Sequence, residues 1–266
     1  MDLNHQCFET ETSGNTLVIL HGLFGSARNW NGLARQLSDA YKVIVVDMPN
    51  HGGSPWLDHA DYVTMADAVA VFMDTEGLAG ATVLGHSMGG KAAMVLSMAR
   101  PDLVGGLIVA DIAPVHYAHR NDLYIEAMEA VDLTILKTRS DADAQLAPYV
   151  EDASLRGFFL LNLVQEGEEF HWRINLTGLK QMMPALQSFP HMADGSLYGG
   201  PALFLGGERS SFILPKHLTV IRSYFPYARH KEIRGAGHWI HTDQPMAVDA
   251  AVRRGDQVLL IQRGNE

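Results

Sequence analysis

A serine framed by glycines, Gly85-His86-Ser87-Met88-Gly89, follows the apolar run ATVL and opens a helix-like segment. A strand turning sharply into a helix presents one side chain above the sheet, in a turn so crowded that glycines are needed two residues to either side. The hydroxyl then lies beside a helix N-terminus, whose amides favour developing negative charge. Nucleophilic attack by Ser87 is the chemistry this arrangement permits. An alcohol attacks poorly at its own pKa and needs a base within hydrogen-bond reach. His238 is the preferred base: it follows HKEIRGAG, where Gly235 and Gly237 make a loop that can return the imidazole to the strand ends. His86 is expected to point away from the turn and to pack or hydrogen-bond structurally.

A third group must hold His238 in its useful tautomer and stabilise the imidazolium. Many such chains place an aspartate three residues after a glycine at the end of a strand like PALFLGGERSS; counting from Gly207 reaches Ser210, and Glu208 comes too early. The other position is Asp111, which ends LIVAD one strand after the serine. A carboxylate closing an apolar strand is costly without a partner, and ligands gather at the carboxyl edge of such sheets. Asp111 is therefore preferred, with Glu208 in reserve. Acyl transfer also requires donors for a tetrahedral oxyanion. Backbone N–H groups of Met88 and of Leu23 in His21-Gly22-Leu23-Phe24-Gly25 are the expected pair, with Phe24 the alternative to Leu23 and His21 a brace for its turn.

The elements that must position these groups are legible as short apolar runs, TLVILHG, YKVIVVDMP, ATVLGHS, LIVADIAP, PALFLGG and ARHKEIRGAGH, alternating with helical stretches. This rhythm predicts an α/β fold, with a mostly parallel central sheet flanked by helices. Burial on both faces explains why YKVIVVD and LIVAD are continuously apolar. HQCFETE is expected to add an antiparallel edge strand. Helices are expected near Asn29 to Ser38, over Met65 to Glu76, where Ala66, Val69, Ala70 and Met73 share one face, and over Met88 to Ala99.

Between about Val115 and Leu197 the strand rhythm stops. DLYIEAMEAVDL, ADAQLAPYV, SLRGFFLLNLVQ and FHWRINLTGLKQMMPAL read as helical, so residues 115–197 are expected to form a helical cap inserted into a core of 1–114 and 198–266. Phe158, Phe159, Leu160, Leu161 and Trp172 are candidates to line an acyl pocket or to hold the cap on the core. Arg173 either touches substrate or pairs with a cap carboxylate. At the C-terminus a strand-like GDQVLLIQRGNE follows the expected final helix QPMAVDAAVRR.

The 266 residues are 47% hydrophobic and 19% charged, a soluble globular composition. No apolar run reaches the roughly 18 residues of a membrane span. The N-terminus carries acids where a signal peptide would be basic and then apolar, so a cytoplasmic location is expected. A net charge of −10 argues against binding nucleic acid. Cys7 is the sole cysteine, which excludes an internal disulfide, and it is expected to be a packed strand residue. The pairs His116/His119 and His238/His241 have helical spacing without a third ligand, so no metal site is expected.

HGLFGS, VVDMPNHGGS, GHSMGGK and GAGHW, in this order, resemble the α/β-hydrolase superfamily over nearly the whole chain. VADIAPV and WRINL are similar, more narrowly, to small bacterial esterases of short-chain and acyl-CoA esters and to related mitochondrial abhydrolase proteins. The resemblance implies an acid after the sixth core strand and hence a Ser87, Asp111, His238 triad. It implies a small-molecule acyl ester or thioester as substrate, two-step hydrolysis through an acyl-enzyme, and no cofactor. A carbon–carbon hydrolase or lyase would share the triad, and a non-catalytic ligand-binding module would share the scaffold. Two departures stand out: Pro49 replaces the group's usual Arg, and the C-terminal tail is unusual.

Overall fold

In a computed structural model of the chain, which describes residues 1–118, 120–193 and 195–263, the apolar runs become strands. In chain order they are β1 (His5–Phe8), β2 (Thr16–Leu20), β3 (Lys42–Val46), β4 (Ala81–His86), β5 (Val104–Ala110), β6 (Leu163–Glu166), β7 (Glu169–Trp172), β8 (Ala202–Gly207) and β9 (Ala228–Ile233). Among the described residues, seven of them form one sheet in the order β1-β3-β2-β4-β5-β8-β9. All neighbours are parallel except β1, which runs antiparallel to β3. Every residue of β4 and β8 is buried, as helices on both faces require.

The helices are α1 (Asn31–Leu37), α2 (Tyr62–Thr75), α3 (Met88–Ala99), α4 (Asn121–Glu129), α5 (Arg139–Leu146), α6 (Ala153–Leu160), α7 (Leu176–Gln187), α8 (Leu218–Tyr224), α9 (Ile240–Asp243) and α10 (Pro245–Arg263). One core layer joins α2 and α3 to the sheet through residues such as Val69, Met73, Val95, Leu107 and Val109. On the opposite face Ile19, Leu37, Val45, Ile108, Val248 and Val252 close a second layer. The result is a mostly parallel α/β sheet covered by helices on both faces.

The structure departs from the sequence reading in three places. The segment between β5 and β8 carries α4 to α7 but also an antiparallel hairpin, β6 with β7, where only helix is expected. The hairpin closes through Gly167 and Glu168, and LVQE and EFHW are each too short for period to separate strand from helix. At the C-terminus α10 continues to Arg263 in place of a strand-like tail, and Gly264–Glu266 lie outside the described residues. Cys7 is exposed, because β1 is an edge strand with one open face. No helix among the described residues is long and apolar enough to cross a membrane.

Candidate active site

Ser87 ends β4 with φ 51° and ψ −116°, a conformation uncommon for a residue with a side chain, while its N–H donates to the carbonyl of Ala110 on β5 (3.0 Å). Its two glycines are demanded by close approach of backbone. A Cβ on Gly89 would lie 2.4 Å from the carbonyl oxygen of Leu20, and one on Gly85 would lie 2.3 Å from that of Gly89. Asp111, at the end of the adjacent strand, also has positive φ (52°), and its N–H donates to Leu205 on β8 (2.8 Å). Parallel pairing of β4, β5 and β8 therefore delivers both side chains to one sheet edge.

The loop after β9 brings His238 to that edge. Its Nε2 is 3.0 Å from Ser87 Oγ, and its Nδ1 is 2.8 Å from Asp111 Oδ2. A carboxylate can only accept, so the proton of the neutral imidazole belongs on Nδ1 and Nε2 is free to accept from the serine. Asp111 is completely buried, and its oxygens accept from Gly207 N–H (2.9 Å), His238 and the Ser210 hydroxyl. Ser210 thus stands at the counted acid position and hydrogen-bonds Asp111, the carboxylate that faces His238. Glu208 turns away, accepting from Gly235 N–H (2.7 Å) and bracing the His238 loop. Asp243 braces the same loop through Gly237 N–H (2.6 Å).

Rings hold the imidazole from other sides. Phe212 stacks on it at 3.9 Å, and His86 donates from Nε2 to the His238 carbonyl (2.9 Å). His241, the i+3 partner of His238, stacks on Trp30 at 4.0 Å; burial and then the nearby His238 lower its pKa to about 4. His116 contacts Ser188 Oγ through Nδ1 (2.9 Å), while His119 lies outside the described residues.

The segment His21–Gly25 is fixed by two buried histidines. His21 donates from Nδ1 to Gly22 O (2.8 Å) and accepts Met48 N–H at Nε2 (3.0 Å). His51 donates to Pro49 O (2.9 Å) and accepts Phe24 N–H (3.2 Å). Burial lowers the pKa of both, that of His51 to about 3, which keeps each Nε2 an acceptor. Phe24 has φ 62°, and its amide is committed to His51. The amides of Leu23 and Met88 have no acceptor among the described residues and are the ones open to an oxyanion. His51 escapes sequence inspection, since nothing in PNHGG distinguishes a buried acceptor from a turn histidine.

The insertion anchors itself to this loop with asparagines. Asn162 Nδ2 donates to Phe24 O (2.8 Å), and Asn175 contributes its N–H to Asn50 O (2.9 Å) and its Nδ2 to Asn50 Oδ1 (3.0 Å). At its other end, Lys91 of α3 donates to the carbonyls of Gln187 (3.2 Å) and Ser188 (3.0 Å), between the rings of Tyr62 and Tyr117. Burial lowers the Lys91 pKa to about 7 from an ordinary 10.5. Between those values the unfolded chain binds the extra proton, so stability rises with pH across this window and is independent of Lys91 below it. Relative to Lys91→Met, the wild type is expected to gain at most about 4 kcal/mol of unfolding free energy between pH 7 and pH 10. Urea unfolding at both pH values checks this, and parallel profiles would refute it.

Two cavities meet at Ser87. The larger, about 270 Å³, is lined by Trp30, Tyr124, Leu155, Phe158, Phe159 and His238 among others. The smaller, about 50 Å³, has Met88, Lys91, Ile112, Tyr117, Met183 and Phe212 in its wall but not His238. Leu23 lines both. Of the expected pocket residues, Leu160 is buried in the core, Leu161 is half exposed, and Trp172 donates its Nε1–H to Met128 O (3.1 Å). Arg173 pairs with no carboxylate, and its buried Nε has no partner among the described residues.

Comparison with known proteins shows the family to which the chain is similar. A family model described as alpha/beta hydrolase fold matches residues 15–245. The mouse (Mus musculus) protein named sn-1-specific diacylglycerol lipase ABHD11 is 38% identical over 92% of this chain and 82% of its own. Esterase YbfF of Escherichia coli strain K12 is 34% identical over 96% of this chain and 98% of its own. Among solved structures, a marine microorganism esterase superposes with a TM-score of 0.91 at 36% identity, covering 95% of this chain and 98% of that one.

Proposed function

Because the chain belongs to the α/β-hydrolase fold family and is an ester hydrolase, we propose that it cleaves short-chain acyl esters or thioesters as a serine carboxylesterase. Ser87 attacks the acyl carbonyl, and His238 takes its proton and passes it to the leaving atom. Asp111 holds the imidazole and balances the imidazolium, while the Leu23 and Met88 amides receive the oxyanion. Water activated by His238 then releases the acid. Residues 115–197 serve as a cap on a core of 1–114 and 198–266. Ser210 is a positioning residue acting through Asp111.

The single observation carrying this reading is the unbroken chain of contacts from Ser87 Oγ through His238 to Asp111. The two cavities support its substrate side. His238 must reach the leaving atom and lines only the larger cavity, so the leaving group belongs there and the acyl group in the 50 Å³ recess. That recess favours a short acyl chain. In a p-nitrophenyl ester series, kcat/KM is expected to peak between acetate and butyrate and to fall at least about tenfold by octanoate, the scale of a 1–3 kcal/mol overpacking cost. A fluorophosphonate is expected to label Ser87 alone, as read by peptide mass spectrometry. Folded protein that turns over no ester, or that is labelled elsewhere, would overturn the proposal.

Removing the Ser210 hydroxyl deprives Asp111 of one donor but leaves the triad contacts in place. Ser210→Ala is expected to lower kcat by about three- to tenfold with KM within twofold, the net scale of one ordinary intramolecular hydrogen bond. A changed KM with unchanged kcat would assign Ser210 to substrate binding instead.

A further inference from the structure

Another cavity, of about 410 Å³, adjoins the catalytic one, with Asn29 in the walls of both. Arg28, Arg139 and Arg173 line it beside Ser26 and Gln165, and no acidic residue does. Three arginines around an acid-free hollow run against the character of a chain with net charge −10. None of the three forms an ion pair among the described residues. Arg139 spends one N–H on Leu163 O (2.7 Å).

Arg173 is the unusual member. Its Nε is buried without an acceptor, and a buried unsatisfied donor of a charged group is destabilising. The acid whose charge acts on it, Asp47, is already held by three donors: Oδ1 accepts Ala27 N–H (2.6 Å), and Oδ2 accepts Asn4 Nδ2 (2.6 Å) and Gly53 N–H (2.9 Å). Burial, followed by the neighbouring Arg28 cation, lowers the Arg173 pKa, so the site is short of negative charge. The guanidinium fork matches carboxylate and phosphate alike, but a tetrahedral oxyanion supplies acceptors in several directions at once, as donors from three side chains around one hollow require.

We propose that this cavity binds a phosphate group carried on the leaving-group side of the substrate, with Arg173 and Arg28 as its principal ligands. The direction follows from the catalytic geometry. The leaving group occupies the cavity lined by His238, and only that cavity shares Asn29 with the arginine cluster. This assignment of direction rests on the esterase reading, whereas the binding of phosphate does not.

Two measurements separate those dependencies. Calorimetric titration with inorganic phosphate is expected to show binding to the wild type that weakens at least about tenfold in Arg173→Gln, a variant that gives up no hydrogen bond or ion pair among the described residues. In hydrolysis, 1-butyrylglycerol 3-phosphate is expected to exceed neutral 1-butyrylglycerol in kcat/KM by about tenfold or more, the scale of one charge-assisted contact. Arg173→Gln and Arg28→Gln should shrink that ratio to within threefold while leaving the neutral ester within twofold. Equal kcat/KM for the two esters in an active wild type would overturn the substrate assignment and leave the esterase intact. Phosphate binding without any such preference overturns it too, making the site one for free phosphate. No turnover of either ester, with phosphate binding lost in Arg173→Gln, would support the anion cavity while the esterase reading falls.

Discussion

Ser87→Ala is expected to lower kcat/KM for short-chain esters by roughly 10⁴-fold or more with no loss of structure. Serine hydrolases that lose their nucleophile keep only the catalysis supplied by the oxyanion donors and by binding. The substitution removes one exposed-side hydroxyl, whose recorded side-chain partner is His238 Nε2, so packing around the turn is preserved. The strained backbone at Ser87 does not depend on the hydroxyl; it is enforced by Gly85, Gly89 and the bond from Ser87 N–H to Ala110. Initial rates together with thermal unfolding measure both halves of the expectation. Activity within tenfold of wild type in pure mutant protein would remove Ser87 from the mechanism.

The choice of acid has nearly as large a consequence. Asn at position 111 can present an amide N–H to His238 Nδ1, which forces the proton onto Nε2 and leaves no acceptor for the serine. A loss of about 10³- to 10⁴-fold in kcat is expected for Asp111→Asn. Glu208→Gln is expected to stay within threefold, because an amide oxygen can still accept the Gly235 N–H that is this side chain's recorded bond. Since the Ser210 hydroxyl already touches Asp111 Oδ2, adding Ser210→Asp to Asp111→Asn places a carboxylate next to the same imidazole nitrogen. Partial recovery in the double variant is expected. Parallel losses in Asp111→Asn and Glu208→Gln would mean that both carboxylates act on His238 through the loop.

The strand runs and the serine turn are legible in the sequence because they are enforced by short-range crowding. Continuous apolar runs cannot be satisfied except in a covered parallel sheet, and glycine spacing around Ser87 reports backbone atoms a few ångströms away. The His238 assignment required a further step, since Gly235 and Gly237 announce a loop without saying where it returns. Ser210 shows where sequence falls silent: its hydroxyl is meaningful only once β5 and β8 lie side by side and bring it to Asp111, 99 positions away in the chain. The β6–β7 hairpin was missed for a related reason, its strands being too short for periodicity to discriminate. The arginine cluster is invisible in the same way, because Arg28 lies in a short turn before α1, Arg139 opens α5 and Arg173 follows β7, far apart in sequence.

The asparagine contacts across the insertion bear on how freely such proteins exchange parts. Asn162 holds the carbonyl of Phe24, one residue beyond an oxyanion donor, and Asn175 grips Asn50 close to the histidine that receives Phe24 N–H. A segment grafted from a relative to alter selectivity would inherit the recess it brings but would lose these grips unless it carried both side chains at matching heights. Chimeras are therefore expected to divide by two residues rather than by overall similarity: those retaining the pair inherit turnover with new preferences, and those lacking it inherit shape alone.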